Sequence, residues 1–407
     1  MGSVCFSCGS QNKEPKEGFS ETVVIHDSVR KDAFTEGEIL TGAERPQIYL
    51  PFLEGKNVGI VANQTSVISE NSAEKNGYLH LVDYLIEENI KVGKVFAPEH
   101  GFRGTADAGE MVKDGTDTKT GLPIVSLYGK NKKPSPAQLE GIDIMVFDIQ
   151  DVGARFYTYI STLHYVMEAC AEAGIPVVVL DRPNPNGHYI DGPILEPAHK
   201  SFVGMHPVPV VHGMTMGEYA QMINGEGWLA QGAKCDLTVV PMKNYDHQTP
   251  YSLPIKPSPN LPNDRAINLY PSLCFFEGTT VSVGRGTGMQ FQVFGAPFLP
   301  SPPYGFRFTP QPNPGASHPK HQGLMCHGKD LRDFPRLNNL NLEWLIEAYT
   351  ASDEEKSFFT PYFTTLAGTE KLQQQIEQGL TYREIRKTWL EGLNDYKQVR
   401  KKYLLYP

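Results

Sequence analysis

Asp143-Ile144-Met145-Val146-Phe147-Asp148, then a helical stretch from about Tyr157 to Ala173, then Pro176-Val177-Val178-Val179-Leu180-Asp181, reads as strand, helix, strand. Both apolar runs are short and end at polar or turn residues, as buried strands do. A helix between two strands lets the second return parallel to the first. The same alternation continues outward. Toward the N-terminus lie a strand at Val58-Gly59-Ile60-Val61-Ala62-Asn63 and a helix from Leu79 to Glu88, with apolar residues at Leu81, Val82, Leu85 and Ile86. Strands at Lys94-Val95-Phe96-Ala97 and Pro123-Ile124-Val125-Ser126-Leu127 follow. Toward the C-terminus come a helix near Thr215 to Gly225 and a strand at Leu237-Thr238-Val239-Val240-Pro241. The pattern predicts an α/β fold, a mostly parallel sheet with helices on both faces.

At 407 residues the chain exceeds one typical core, so two domains are expected. Residues 1 to about 45 are polar and weakly periodic, a tail or extended arm; the sheet domain spans 46–258. Pro254-Ile255-Lys256-Pro257-Ser258-Pro259-Asn260-Leu261-Pro262 has the composition of a semi-rigid linker or a wall between domains. Beyond it, 259–407 reads as a smaller α+β domain. Its elements are a strand-like Thr279 to Val283, a proline-rich loop at Pro297 to Pro303, and helices around Leu342–Ala351, Thr369–Gln378 and Tyr382–Leu393.

Hydrophobic residues at 40% and charged residues at 20% describe a globular protein. The net charge is 37 − 46 = −9 with no basic stripe, which argues against a nucleic-acid partner. No apolar run of about 18 residues is present, so no transmembrane segment is expected. Cys5 and Cys8 have CxxC spacing but lie in the polar N-terminal tail without a second ligand pair. Cys170, Cys235, Cys274 and Cys326 sit in apolar surroundings and read as buried small hydrophobes. Val4-Cys5-Phe6-Ser7-Cys8-Gly9-Ser10 resembles the tail of a bacterial lipoprotein signal, with Cys8 as the lipid-anchor candidate and a polar tether after it. The expectation is an exported protein, periplasmic or membrane-anchored. Against it stands a plain leader, because an apolar signal core is missing.

Polar clusters sit just past three strand ends. The first is Glu99-His100 with Arg103, after a strand that Pro98 terminates. The second is Asp148-Ile149-Gln150-Asp151-Val152-Gly153-Ala154-Arg155-Phe156-Tyr157-Thr158-Tyr159. The third is Asp181-Arg182-Pro183-Asn184-Pro185-Asn186-Gly187. A single strand-end Asp is usually a cap or loop anchor. Three loaded loops converging on the carboxyl edge of a parallel sheet favour an active site.

Several chemistries are excluded by missing patterns. Gly284-Arg285-Gly286-Thr287-Gly288 lacks the phosphate-loop order but can form a turn presenting Arg285 to an anion. Asn63-Gln64-Thr65-Ser66 stands where a dinucleotide fold would need GxGxxG, so no nucleotide cofactor is expected. Ser66, Ser126 and Ser161 lack the GxSxG context. Glu99, His100, Asp148, Asp151, His206 and His212 are conceivable metal ligands, but HExxH spacing is absent and a metal-free site is preferred. Carboxylate chemistry remains. Glycoside hydrolysis needs a protonated acid beside the leaving oxygen and a second group to meet oxocarbenium-like charge. Glu99 suits the acid if Pro98, Phe96 and Phe102 desolvate it and raise its pKa; the plain alternative is a Glu99–Arg103 ion pair pinning the loop. Tyr157, Tyr159 and Phe156 are sugar-stacking candidates or core anchors.

Long motifs then carry a specific resemblance. Asn63-Gln64-Thr65-Ser66, Pro98-Glu99-His100-Gly101-Phe102-Arg103-Gly104, Ser126-Leu127-Tyr128-Gly129, the Asp148–Tyr159 stretch and Asp181-Arg182-Pro183-Asn184-Pro185 resemble the NamZ family of bacterial exo-β-N-acetylmuramidases. So do Tyr270-Pro271-Ser272 and Phe276-Glu277-Gly278-Thr279-Thr280-Val281-Ser282-Val283-Gly284-Arg285-Gly286-Thr287. The similarity runs from about Val58 to the C-terminus. It implies a Rossmann-like domain and a smaller C-terminal α/β domain, with the site in a cleft between them at the carboxyl edge of the strands. The implied activity is release of terminal N-acetylmuramic acid from non-reducing ends of peptidoglycan fragments, without a cofactor.

The family's catalytic glutamate candidate falls on Glu99. Other roles are read from position. Asp151 and Glu277 are candidates for the second carboxyl partner. If the 2-acetamido group acts as internal nucleophile, Asp151 or Asp148 orients it and Tyr157 hydrogen-bonds nearby. The lactyl carboxylate needs a cation, for which Arg103, Arg155 and Arg285 are candidates. Asn63 and Tyr159 complete the substrate-binding set. His100 either relays protons for Glu99 or caps its loop. The alternative is a non-catalytic binding protein for muropeptides or another anionic saccharide; a third reading is a metal-dependent hydrolase.

Overall fold

The computed structural model describes residues 22–24, 37–72, 75–99, 101–103, 114–352 and 358–407. In chain order its first strands are β1 (Val23–Val24), β2 (Val58–Ala62), the hairpin β3 (Val67–Ser72) and β4 (Lys75–His80), and β5 (Val92–Ala97). They are followed by β6 (Gly115–Thr116), β7 (Pro123–Ser126), β8 (Ile144–Asp148), β9 (Val177–Leu180) and β10 (Leu237–Val240). Without the hairpin, these form one sheet in the order β1-β10-β9-β8-β2-β5-β7-β6. Every pairing in it is parallel except β6 against β7. Every residue of β2, β8 and β9 is buried, which is why their runs read as continuous apolar segments. From β2 the chain winds outward one way through β5 and β7, then returns to β2's other side for β8, β9 and β10. The winding therefore reverses at the β2–β8 junction, where the open ends of a doubly wound sheet form a crevice.

Helices α1 (Pro46–Leu53), α2 (Leu81–Glu87), α3 (Pro136–Leu139), α4 (Tyr159–Ala173) and α5 (Met216–Gly225) belong to this half. Thr215 starts α5 with a capping box: its side chain accepts from the Glu218 N–H while Glu218 reaches back. The second half begins with α6 (Asp264–Leu273), then an antiparallel sheet of β11 (Val293–Ala296), β12 (Phe306–Phe308) and β13 (Cys326–Asp330) in the order β11-β13-β12. It ends with α7 (Glu343–Thr350), α8 (Tyr362–Ala367), α9 (Lys371–Glu377), α10 (Tyr382–Lys387) and α11 (Leu390–Arg400). One apolar cluster runs through both halves, from Val61, Phe147 and Leu163 to Phe275, Phe294 and Phe363.

Two expectations are corrected. Thr279–Val283 is not a strand: Thr279 and Ser282 make only isolated bridges, to Phe359 and Gly295. The Lys320 ammonium occupies the carbonyls a ladder would use, donating to those of Phe276, Glu277, Thr279 and Val281 at 2.6–3.4 Å. The helix expected over Tyr382–Leu393 is two helices. At the break the Thr388 hydroxyl bonds back to the Ile385 carbonyl at 2.7 Å, and Trp389 is buried. The proline-rich segment packs as a wall, its Lys256 and Pro257 carbonyls each accepting from Gln64 at 3.2 Å.

Helix α4 carries a buried polar chain. His164 Nδ1 lies 2.9 Å from His206 Nε2, and His206 Nδ1 lies 3.0 Å from the Tyr219 hydroxyl. Glu168, 3.4 Å from His164, is held by Lys133 at 2.8 Å. Burial pushes His164 down to about 4 and His206 well below its ordinary value. Both imidazoles are neutral in the fold at neutral pH, while unfolded histidines gain protons below about 6.5. Their stabilising contribution is therefore complete above about pH 6.5 and lost as pH falls toward 4. For His164 the loss is on the order of 3 kcal/mol. Urea unfolding at a series of pH values should show it, with a shallower pH slope in His164→Asn; parallel slopes in the two proteins would count against the assignment.

Candidate active site

Glu99 stands one residue past the proline that ends β5. Thr158, the residue before α4, donates its hydroxyl to Glu99 Oε2 at 2.9 Å, and the Tyr128 hydroxyl, past β7, also hydrogen-bonds Glu99. Burial, then the Glu99 charge, holds the Tyr128 phenol above its ordinary range. Segments that follow three strands of the sheet, β5, β7 and β8, thus meet on one carboxylate. Behind them, Asn63 donates to the Tyr159 hydroxyl at 2.8 Å, and the Tyr157 hydroxyl donates to the Pro257 carbonyl at 2.8 Å. These bonds tie the loops after β2 and β8 to the proline-rich wall.

The second half supplies the rest of the cleft lining. Glu277 lies in the short 3-10 turn Cys274–Gly278 and pairs with Arg285 at 2.8 Å. Gly284 and Gly286, at φ 77° and 78°, make the turn that presents Arg285, whose guanidinium also lies 5.2 Å from the centre of the Phe291 ring. Tyr362, the first residue of α8, bridges the walls electrostatically. Its phenol is held up by burial, then by Cys274, Glu277, Glu99 and Tyr128. The cleft has a volume of about 430 Å³, with Glu99 and Glu277 both on its surface. Two carboxylates lining one aromatic-walled cleft can do acid/base and electrostatic work on a sugar.

Of the residues singled out from sequence, Glu99, Glu277, Arg285, Phe156 and Tyr157 line this cleft. The others are engaged elsewhere. Arg103 forks onto Asp117 at 2.9 and 2.7 Å and reaches Asp83 at 3.3 Å, so the Glu99–Arg103 pair does not form. Asp148 is fully buried and bonded by Arg182 at 2.5 and 2.9 Å. Asp151 is buried, accepting from the Gly153 N–H at 2.7 Å with His212 at 3.7 Å. Arg155 is fully buried among backbone carbonyls. Asn63 and Tyr159 sit behind the wall. His100 lies outside the described residues. The third strand-end cluster holds the fold together: Asp181 accepts from Thr215 and Tyr406 hydroxyls, each at 2.7 Å, and Asn186 donates to the Val152 and Ile267 carbonyls. Phe96 is buried in the core and Phe102 packs edge-on against His80, while the Thr158 and Tyr128 hydroxyls hydrogen-bond Glu99.

Tyr128, Thr158, Lys132, Asn260 and Tyr362 also line the cleft, although nothing in their local sequence marks them as functional residues. Tyr128 and Thr158 lie inside motifs quoted above, next to the strand ends already noted; Tyr362 arrives from the far end of the chain.

Two family models for exo-β-N-acetylmuramidase NamZ match the chain, the N-terminal one over residues 58–265 and the C-terminal one over 268–406. The peptidoglycan β-N-acetylmuramidase NamZ of Bacillus subtilis (strain 168) is 42% identical over 384 residues, 88% of this chain and 89% of that protein. A DUF1343 family protein of Bacteroides fragilis NCTC 9343, known from its crystal structure, shares the fold at TM-score 0.82 with 46% identity over 91% of this chain and 99% of its own. A second from that organism gives 0.75 with 28% identity, covering 92% and 100%.

Proposed function

The chain belongs to the exo-β-N-acetylmuramidase NamZ family, and from that premise we propose that it hydrolyses terminal non-reducing N-acetylmuramic acid from peptidoglycan fragments. The observation that carries the reading to the chemistry is the pair of carboxylates, Glu99 from the sheet half and Glu277 from the second half, that line one cleft. Glu99 acts as the acid, giving its proton to the glycosidic oxygen as the bond to the anomeric carbon breaks, and a water then adds to that carbon, releasing the proton that restores Glu99. Thr158 and Tyr128 fix the direction in which it points. Glu277, steered by Arg285, is the group that meets the positive charge growing on the sugar ring. Phe156, Tyr157 and Tyr270 supply aromatic wall for the pyranose.

Incubation of the protein with a defined fragment bearing an N-acetylmuramyl non-reducing end should release free N-acetylmuramic acid, read by mass spectrometry, with and without chelator. Tight binding without release would instead support a non-catalytic saccharide-binding protein. Activity lost in chelator would support a metal-dependent hydrolase.

The reading also places the protein outside the cytoplasm. Its support is the Val4–Ser10 pattern, with Cys8 as the proposed lipid-anchor site; these residues lie outside the described ones. No helix among the described residues is long and apolar enough to cross a membrane. Membrane fractionation of the native protein against Cys8→Ala tests the anchor.

A further inference from the structure

We propose that Lys132, seated on the Phe202 ring, is the cation that reads the lactyl carboxylate of the substrate. The proposal rests on the glycosidase reading above and names the group that sets its specificity. N-acetylmuramic acid differs from N-acetylglucosamine by a 3-O-lactyl group, whose carboxylate is the only ionised group on the sugar. Bringing that anion into a cleft that already holds the Glu277 carboxylate is repulsive unless a cation compensates.

The arginines are committed. Arg103 is bound to Asp117 and Asp83, Arg155 to backbone carbonyls, and Arg285 to Glu277 at 2.8 Å. Of the two cations on the cleft wall among the described residues, this leaves Lys132. Its ammonium makes no ion pair among the described residues and rests 4.4 Å from the centre of the Phe202 ring. Phe202 in turn stacks on Tyr165, centroids 6.3 Å apart and planes at 17°. A cation held over an aromatic face keeps its three N–H donors for a ligand while its stem is already ordered. Lys132 also lies four residues beyond Tyr128, which touches Glu99, so one loop links carboxylate recognition to the acid.

The test uses Lys132→Met and Lys132→Arg. Steady-state kinetics are measured on a chromogenic β-N-acetylmuraminide, on the same compound with its lactyl carboxyl capped as an amide, and on the β-N-acetylglucosaminide. Lys132→Met should raise KM for the charged muraminide roughly 10- to 100-fold, the range of one charge-assisted hydrogen bond, with kcat little changed. The amide and the glucosaminide should be nearly unaffected, and Lys132→Arg should recover most of the loss. Equal losses on charged and capped substrates, or an unchanged KM for the muraminide, would overturn the assignment. If the wild-type protein turns over no muraminide, the glycosidase reading fails separately. Calorimetric titration of free N-acetylmuramic acid into wild type and Lys132→Met then still decides Lys132, whose removal must weaken binding for the proposal to stand.

Discussion

Glu99→Gln is expected to lower kcat on a chromogenic N-acetylmuraminide by roughly 10²- to 10⁴-fold, the contribution of a positioned general acid. The amide is nearly isosteric and still accepts from Thr158 and Tyr128, so the fold and KM should change little. What disappears is the proton for the glycosidic oxygen. A substrate with a good leaving group needs that proton least, so the defect should shrink on a dinitrophenyl glycoside and grow on a native disaccharide. A loss independent of the leaving group would mean that Glu99 is not the acid. A loss in KM alone would make it a binding residue. Glu277→Gln gives the contrast: its defect should persist whatever the leaving group, because Glu277 serves the charge on the sugar.

Position alone singled out Glu99, because a proline-terminated strand end is a local property. Phe96 and Phe102, read as its apolar walls, belong to two separate apolar clusters of the core. The direction of a side chain near a turn depends on backbone conformation that hydrophobic spacing does not report. The hydroxyls that do hold Glu99 come from positions 128 and 158, on two other loops.

Arg155 carries the second large effect, and it is a stability effect. Its Nη1 donates to the Pro193 and Val208 carbonyls, both at 2.8 Å, and its Nη2 to Leu366 at 3.1 Å and Ala367 at 2.7 Å. The guanidinium is fully buried without a carboxylate partner among the described residues, and burial pushes it down to about 9. It bolts the sheet domain to the end of α8, the helix that brings Tyr362 to the cleft. Arg155→Met leaves buried carbonyls without donors, at about 1–3 kcal/mol each where no other partner takes over, so a total near 3–5 kcal/mol is expected. With unfolding entropy of roughly 2.1 cal/mol/K per residue, that corresponds to a fall in Tm of about 5 °C for this chain, measured by scanning calorimetry. The ratio of kcat/KM between muraminide and glucosaminide should stay constant below the transition. A collapse of that ratio with an unchanged Tm would return Arg155 to substrate recognition.

The central strands β2, β5, β7, β8, β9 and β10 with helices α2, α4 and α5, their parallel arrangement and the strand ends that carry the chemistry were determined by the sequence itself; the edge strands β1 and β6, the β3–β4 hairpin, α1 and α3 were not. Each depends on the spacing of apolar residues over a dozen positions or fewer, and a buried parallel strand cannot be written any other way. Only the tertiary structure decided which charged side chains are available to a ligand. Asp148 meets Arg182 across 34 residues, and Arg155 meets the Leu366 carbonyl across 211. A charge is satisfied by whatever the fold brings within about 3 Å. Three prominent arginines are thereby committed, while Lys132 keeps its donors on the face of Phe202.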